Sequence, residues 1–341
     1  MTENRALRRL GLVLCLVWLL FAAFPLYWVA ITAFKPPLAV SQGATYIPFG
    51  DFQPTLQAFR DAFSGLRGDF WGPTVSSILI AFVSTILATF LGAMAAYALV
   101  RFQFRIRLAS GLAFAVISVG GFVLLDAFTG LAVPYALLIV LVGALVAAIW
   151  LNGRALPGPV PVLGNDDVTF WFVSQRIFPP IVSAFAIFLL FAEIGKAGLQ
   201  LLDTFGGMVL VYTAFGLPFA VWLMRDFLAT VPLEVEEAAM IDNIGRLRIF
   251  FQIVLPMAMP GLIATAMIVL AFVWNEFLFA LLLTSGDWQT LPILLAGQHS
   301  SRGDEWWAIS VAALISIVPM VVVATILGRM MRSGLLSGSI K

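Results

Sequence analysis

The sequence predicts an all-α integral membrane protein with about eight transmembrane helices. Of its 341 residues, 62% are hydrophobic and only 11% are charged. Its mean hydropathy of +1.03 lies outside the range in which a soluble domain can keep a hydrated surface. Uninterrupted apolar runs of about 20 residues, the length that crosses a hydrocarbon core about 30 Å thick, recur along the whole chain. The strict alternation of a membrane β-barrel is absent.

The predicted spans are 10–34, 75–100, 108–125, 131–151, 170–191, 205–228, 257–283 and 306–330. In the first, Arg5, Arg8 and Arg9 precede an apolar run in the manner of a secretory signal. The run is too long for one and holds Trp18, Phe21, Phe24, Tyr27 and Trp28 with no small-residue cleavage site, so it reads as an uncleaved anchor. The third span is diluted by Gly111, Gly120 and Gly121 and closes on Asp126. With the N-terminus inside, 14 of the 19 basic residues fall on the cytoplasmic side, among them Arg101, Arg225, Arg246 and Arg248. Lys35, Arg60, Arg67, Lys196 and Arg302 fall outside. That asymmetry predicts a multi-pass membrane protein with both termini cytoplasmic.

Several chemistries are excluded. Cys15 is the only cysteine, so no intrachain disulfide or thiol metal cluster can form, and a catalytic triad or His-based metal site would have to rest on His299, the only histidine. There is no GxxxxGK[ST] stretch, and Lys35, Lys196 and Lys341 are the only lysines. ATP hydrolysis therefore cannot reside in this chain, and the sequence predicts neither an enzyme nor a cofactor site.

One polar segment, 234–260, interrupts two long apolar runs. Glu236, Glu237, Ala238 and Ala239 open a short helix after Pro232, with carboxylates where the positive end of a helix dipole favours them. Ile241-Asp242-Asn243 ends that helix, and Asn accepts the left-handed conformation such a corner needs. Ile244, Leu247, Phe250, Phe251 and Val254 then form an apolar stripe at three-to-four spacing, with Arg246 and Arg248 off it. Leu255-Pro256 closes the segment, and Pro256 is expected to open the next helix.

These residues resemble the EAA loop of ABC-importer permeases. Glu237-Ala238-Ala239, three residues, Asn243, nine residues, then Ile253-Val254-Leu255-Pro256 follow the family pattern, except that Asn243 stands where the family has Gly. Ala95-Ala96-Tyr97-Ala98-Leu99-Val100-Arg101-Phe102, Ile177-Phe178-Pro179-Pro180, Trp274-Asn275-Glu276-Phe277, Thr290-Leu291-Pro292 and the tail from Gly334 to Lys341 resemble further elements of the carbohydrate-uptake, MalG-like branch. The resemblance implies a six-helix permease core plus an extra two-helix hairpin. The expected parts are 1–107 (anchor, loop and first core helix), 108–167 (hairpin and a linker with Pro157, Pro159 and Pro161) and 168–341 (core, coupling loop at about 232–256 and tail).

The same resemblance implies an ATP-driven, binding-protein-dependent importer of a sugar or sugar derivative, in which this chain forms half the pore. Implied partners are an ABC ATPase dimer holding ATP and Mg, a second, MalF-like permease, and a periplasmic or lipid-anchored substrate-binding protein. Membrane lipids surround the chain, and no nucleic acid is implied. Glu236, Glu237, Ala238, Ala239, Asp242, Asn243, Leu255 and Pro256 are the expected ATPase-coupling residues, with Glu237 seated in the ATPase cleft and the tail from Gly334 touching the ATPase dimer. Trp274, Asn275 and Glu276 are expected along the substrate pathway, and Trp288, Gln289 and His299 at the binding protein. Glu276, an ionisable group inside a predicted span, keeps open the alternative of an ion-coupled secondary transporter. Such folds usually show internal repeats, which are not evident here.

Overall fold

The computed structural model describes residues 5–41, 45–64, 70–129, 131–154, 161–175, 177–297, 299–300, 303–304 and 306–332. The C-terminal tail from Gly334, Arg67, Arg176, Arg302 and the linker prolines Pro157 and Pro159 lie outside the described residues. In chain order the helices are α1 (Arg5–Ala33), α2 (Pro37–Ser41), α3 (Gln57–Phe63), α4 (Trp71–Arg101), α5 (Leu108–Thr129), α6 (Val133–Gly153), α7 (Asn165–Ser174) and α8 (Pro180–Lys196). They continue as α9 (Phe205–Ala229), α10 (Leu233–Ile241), α11 (Arg246–Ile249), a π-helical turn at Phe250–Val254, α12 (Leu255–Met257), α13 (Met259–Trp274), α14 (Leu278–Leu283), α15 (Leu291–Gly297) and α16 (Trp306–Arg332). Two-residue antiparallel pairs join β1 (Ile106–Arg107) to β2 (Val162–Leu163) and β3 (His299–Ser300) to β4 (Gly303–Asp304).

Among the described residues, α1, α4, α5, α6, α9 and α16 are long and apolar enough to cross a membrane. The two other predicted spans are broken. The span at 170–191 divides into α7 and α8 around Pro179-Pro180, because a residue preceding proline is pushed out of the helical region; Pro179 has φ −58° and ψ 119°. The span at 257–283 divides into α13 and α14 at Asn275-Glu276-Phe277. Pro256 stands in the first positions of α12, as expected of it, but α12 is only three residues long, and the long span begins at Met259-Pro260 after a bend of 79°.

By contact the chain forms two units, 1–75 with 290–322, and 76–289 with 323–341. In the first, Ala33, Ala58, Ala62, Phe70, Ala308, Val311 and Ala312 make a buried cluster. Lys35, at the end of α1, is buried; its Nζ donates to Thr45 O at 2.5 Å and lies 4.6 Å from the Trp28 ring centre. Burial pulls the Lys35 pKa down, partly opposed by Asp51. Two backbone amides, Tyr46 N and Ile47 N, lower that of Asp51.

In the second unit, helix facing is set by small residues. Ala81, Ser84, Ala88, Gly92 and Ala96 fall on one buried face of α4 at helical spacing. A Cβ on Gly92 would lie 2.4 Å from Ala220 Cβ of α9, and one on Gly261 of α13 would lie 2.3 Å from the Phe227 ring. Close backbone approach of this kind maximises dispersion contact where lipid offers no hydrophobic contrast. α5 and α6 pack along each other, with Val140 of α6 against Gly121 of α5, and α6 touches α8. Asn165, opening α7, ties the end of α4: its Nδ2 donates to Leu99 O and Phe102 O, and its Oδ1 accepts from Phe104 N.

Gly92→Val should therefore lower the midpoint of thermal unfolding in detergent, corresponding to a loss of about 1–3 kcal/mol from overpacking. Gly143→Ala, where nothing lies within 4 Å of the added methyl, should not. Equal midpoints for the two variants would contradict this packing.

Candidate functional site

The polar segment is built on the end of α4. Thr230-Val231-Pro232 turns the chain out of α9, and Pro232, with extended backbone, leads into α10, whose first turn holds Glu234 and Glu236. Glu236 is 1% exposed. Tyr97 Oη donates to its Oε2 at 2.8 Å and Arg101 Nε to its Oε1 at 2.6 Å, while Arg101 Nη2 donates to Val231 O at 2.7 Å. Around this ion pair Tyr97, Ile249, Phe250, Val254 and Ala258 are buried together, with the Tyr97 and Phe250 rings 5.0 Å apart.

Of the expected coupling residues, Glu236 and Ala239 thus face inward. Glu237, Ala238, Asp242, Asn243 and Pro256 are exposed, and Leu255 is half-buried. The exposed set is continued by apolar side chains: Leu233, Met240, Ile241 and Leu247, with Ile241 at 80%. Asn243 has φ 56°, the left-handed turn expected of it. Ile244 N bonds to Ala239 O and Asn243 N to Met240 O, the paired carbonyl cap of a Schellman turn.

The apolar stripe differs from expectation. Ile249, Phe250 and Val254 are buried and Ile244 and Ile253 half-buried, whereas Leu247 and Phe251 are exposed. Pro256 has no N–H for the carbonyl four residues back, and the helix widens there into the π turn, which shifts the phase of the buried face. Arg246 is off the stripe, its guanidinium 4.8 Å from the Phe102 ring centre.

A second constellation sits at the break between α13 and α14. Glu276 is 8% exposed, and its carboxylate accepts from Leu278 N (2.8 Å), Phe279 N (3.0 Å) and Ala280 N (3.3 Å), capping α14. Asn275 ends α13, and its Nδ2 donates to Ala271 O at 2.8 Å. Tyr212 Oη donates to the Glu276 carbonyl at 3.3 Å. Trp274 is buried. Asn275 and Glu276 line an open groove of about 570 Å³ with Phe272, Phe277, Phe215 and Pro180. Phe215 also lines a second groove of about 480 Å³, with Ser174, Gln175, Phe178 and Ser183.

Trp288 and Gln289 are half-buried and lie in the second unit, whereas His299 falls in β3 of the first. The Trp288 ring packs 5.1 Å from Phe205. Asp203, which sequence reasoning missed, holds this loop. Its carboxylate accepts from Asp287 N (3.1 Å), Trp288 N (3.0 Å) and Ser285 Oγ (3.4 Å), and its own N donates to Leu283 O. Its φ of 52° is a left-handed conformation that Asp adopts more readily than most residues.

Residues 166–336, half of the chain and the stretch that carries α10 and the α13–α14 break, match the family of the binding-protein-dependent transport system inner membrane component. The chain belongs to that family. It is a multi-span ABC transporter permease of the inner membrane and not an enzyme. It is 29% identical over 334 residues to the probable ABC transporter permease protein y4oR of Sinorhizobium fredii, covering 96% of this chain and 95% of that one. It is 24% identical over 344 residues to the trehalose/maltose transport system permease protein MalG of Thermococcus litoralis, covering 99% of each. A bacterial ABC transporter involved in import of the acidic polysaccharide alginate shares the fold, with TM-score 0.61 and 18% identity over 96% of this chain and 98% of that one.

The two adjacent glutamates should separate by stability. Glu236→Ala leaves Arg101, 12% exposed, without its carboxylate and should cost about 3–5 kcal/mol. Glu237→Ala, at an exposed position, should stay within about 0.5 kcal/mol. Thermal unfolding of both purified variants decides it, and an unchanged midpoint for Glu236→Ala would contradict the buried pair.

Proposed function

We propose that the chain is the transmembrane subunit of an ATP-driven importer of a sugar or sugar derivative, coupled to its ATPase through the exposed face of α10. The observation that carries this reading is the division of α10. Its inner face is tied to α4 by Glu236, and its outer face presents Glu237, Ala238 and the apolar Ile241, continued past its end by the exposed Asp242 and by Leu247 of α11. A small apolar platform ringed by charge suits a rigid docking contact, in which burial holds the partner and charge sets its register. The face points to the cytoplasm, with both termini on the same side, as the basic residues imply. ATP and Mg then reside on the ATPase dimer, and a MalF-like permease supplies the other half of the pore. A periplasmic or lipid-anchored binding protein delivers the substrate to the loop of Trp288 and Gln289 and to the hairpin of His299. The sugar class rests on the trehalose/maltose relative.

The groove at the α13–α14 break fits a stretch of the substrate pathway. Asn275 commits its amide to Ala271 O, so its Oδ1 can accept from a sugar hydroxyl, while the rings of Phe272 and Phe277 are exposed for stacking. Glu276 organises the break. Its carboxylate is occupied by backbone amides, which weighs against the ion-coupled alternative. The α5–α6 pair and its linker, 108–167, read as a hairpin added beside a six-helix core, with 1–107 and 168–341 supplying that core.

Glu237→Lys should abolish stimulation of ATP hydrolysis by the loaded binding protein in proteoliposomes while leaving the chain membrane-inserted. Like charges brought together at the docking surface cost several kcal/mol. Wild-type stimulation in this variant would overturn the coupling assignment. For the pathway, Asn275→Ala should slow initial sugar uptake more than Glu276→Gln, which keeps an acceptor oxygen for the α14 amides. ATP-independent, pH-dependent uptake lost only in Glu276→Gln would instead identify a proton-coupled carrier.

A further inference from the structure

The base of the α5–α6 pair carries a basic cluster that transport and ATPase coupling leave unused. Arg105 precedes β1, Arg107 lies within it, and Arg154 caps the end of α6. Asn152, two residues before Arg154, ties the backbone of the other two to the end of α6: its Oδ1 accepts from Arg107 N at 2.9 Å and its Nδ2 donates to Arg105 O at 3.3 Å. The β1–β2 pairing and the bond from Leu108 N to Pro161 O close the base around them.

Among the described residues no carboxylate pairs with these three guanidinium groups. The nearest acids in sequence are engaged elsewhere, Asp166 with Arg225 and Asp167 with Gly164 N. Arg107 Nη1 and, one turn on, Ser110 Oγ are buried without a partner among the described residues. Leaving such donors unsatisfied is costly, so an acceptor belongs beside them. The Arg154 guanidinium stacks 3.6 Å from the Trp150 ring centre, an arrangement suited to a membrane interface.

Above the cluster the hairpin carries no further basic residue. Residues 108–153 contain no Lys or Arg and Asp126 as their only acid. Their outer walls are apolar and exposed, with Leu112 at 57%, Val116 at 68% and Ile149 at 65%. Three positive charges with no carboxylate partner among the described residues, at the base of an apolar wall, complement one amphiphile, an anionic headgroup with hydrocarbon chains above it. A soluble protein partner would leave that wall without an occupant.

We propose that Arg105, Arg107 and Arg154 form a binding site for the phosphate of an anionic phospholipid whose acyl chains lie along α5 and α6. The hairpin is then a lipid-anchoring element as well as an added pair of spans. The proposal is independent of the substrate class and of the coupling face.

The test uses the purified full-length chain in mixed micelles. Phosphatidylglycerol and phosphatidylcholine retention are read by native mass spectrometry, and inorganic phosphate is added as a competitor. Wild type should retain phosphatidylglycerol in preference to phosphatidylcholine. The combined variant Arg105→Gln, Arg107→Gln and Arg154→Gln should bind it about a hundredfold more weakly, the expected contribution of three basic residues at an anionic surface. Arg60→Gln, in the other unit, should bind as wild type. If loss of Arg107 prevents folding, the pair of exposed substitutions Arg105→Gln and Arg154→Gln should still weaken retention about thirtyfold. Unchanged retention in a folded variant would overturn the site. Full displacement by inorganic phosphate would show a free-anion site instead. Loss of the ATPase subunit from the assembled complex with lipid retention intact would show a protein contact, and either result overturns the proposal.

Discussion

The proposed coupling face depends on one buried charge. Glu236 is withdrawn from solvent, and an isolated carboxylate there would cost far more than a short helix could return. Arg101 and Tyr97, both on the last turns of α4, make it tolerable with charge-assisted bonds of 2.6 and 2.8 Å. The Arg101 guanidinium also holds the carbonyl of Val231, just before α10 begins. α10 is therefore fastened to a membrane-spanning helix at its first turn and backed by the packed rings of Tyr97 and Phe250. Adjacent residues on a helix lie about 100° apart, which lets Glu236 bind inward while Glu237 faces out. One glutamate makes the platform rigid and the next is left free to be recognised.

The break at Asn275-Glu276 answers a different constraint. Interrupting a helix in hydrocarbon exposes carbonyls on one side and amides on the other, and no water is there to satisfy them. Here two neighbouring side chains do so. The Asn275 amide covers a carbonyl of α13, and the Glu276 carboxylate covers three amides of α14 at the positive end of its dipole. Tyr212 fastens the intervening carbonyl. Irregular backbone persists at this depth because it is capped, and the groove beside it is the space the interruption opens.

Sequence reasoning reached the fold class because composition alone demands a membrane and the spans declare themselves by length. It reached the α10 corner because Asn243 and the carboxylates after Pro232 act locally. It could not see which way each helix faces. α4 carries no charge before Arg101, and its buried side is marked by small and hydroxyl-bearing residues, Ala81, Ser84, Thr85, Ala88, Thr89 and Gly92 among them, a signal that hydrophobic periodicity does not read. Periodicity also failed beyond Arg246, where Leu247 faces outward and the off-stripe Ile249 is buried against the end of α4. The division of roles between Glu236 and Glu237 was hidden for a related reason, since their partners Tyr97 and Arg101 lie more than 130 residues away in the chain. Asp203 was missed because a loop residue that bonds backbone amides leaves no periodic trace.

The central claim is that α10 and the end of α4 move as one body when the ATPase closes. The direct test places spin labels at Glu234 and Met94, both exposed, in a Cys15→Ser background of the assembled transporter. The distance between them is then measured by pulsed electron paramagnetic resonance in the nucleotide-free and ATP-bound states. The account predicts the same distance distribution in both states. A displacement of about one helical turn, about 5 Å, between nucleotide-free and ATP-bound complexes would contradict it.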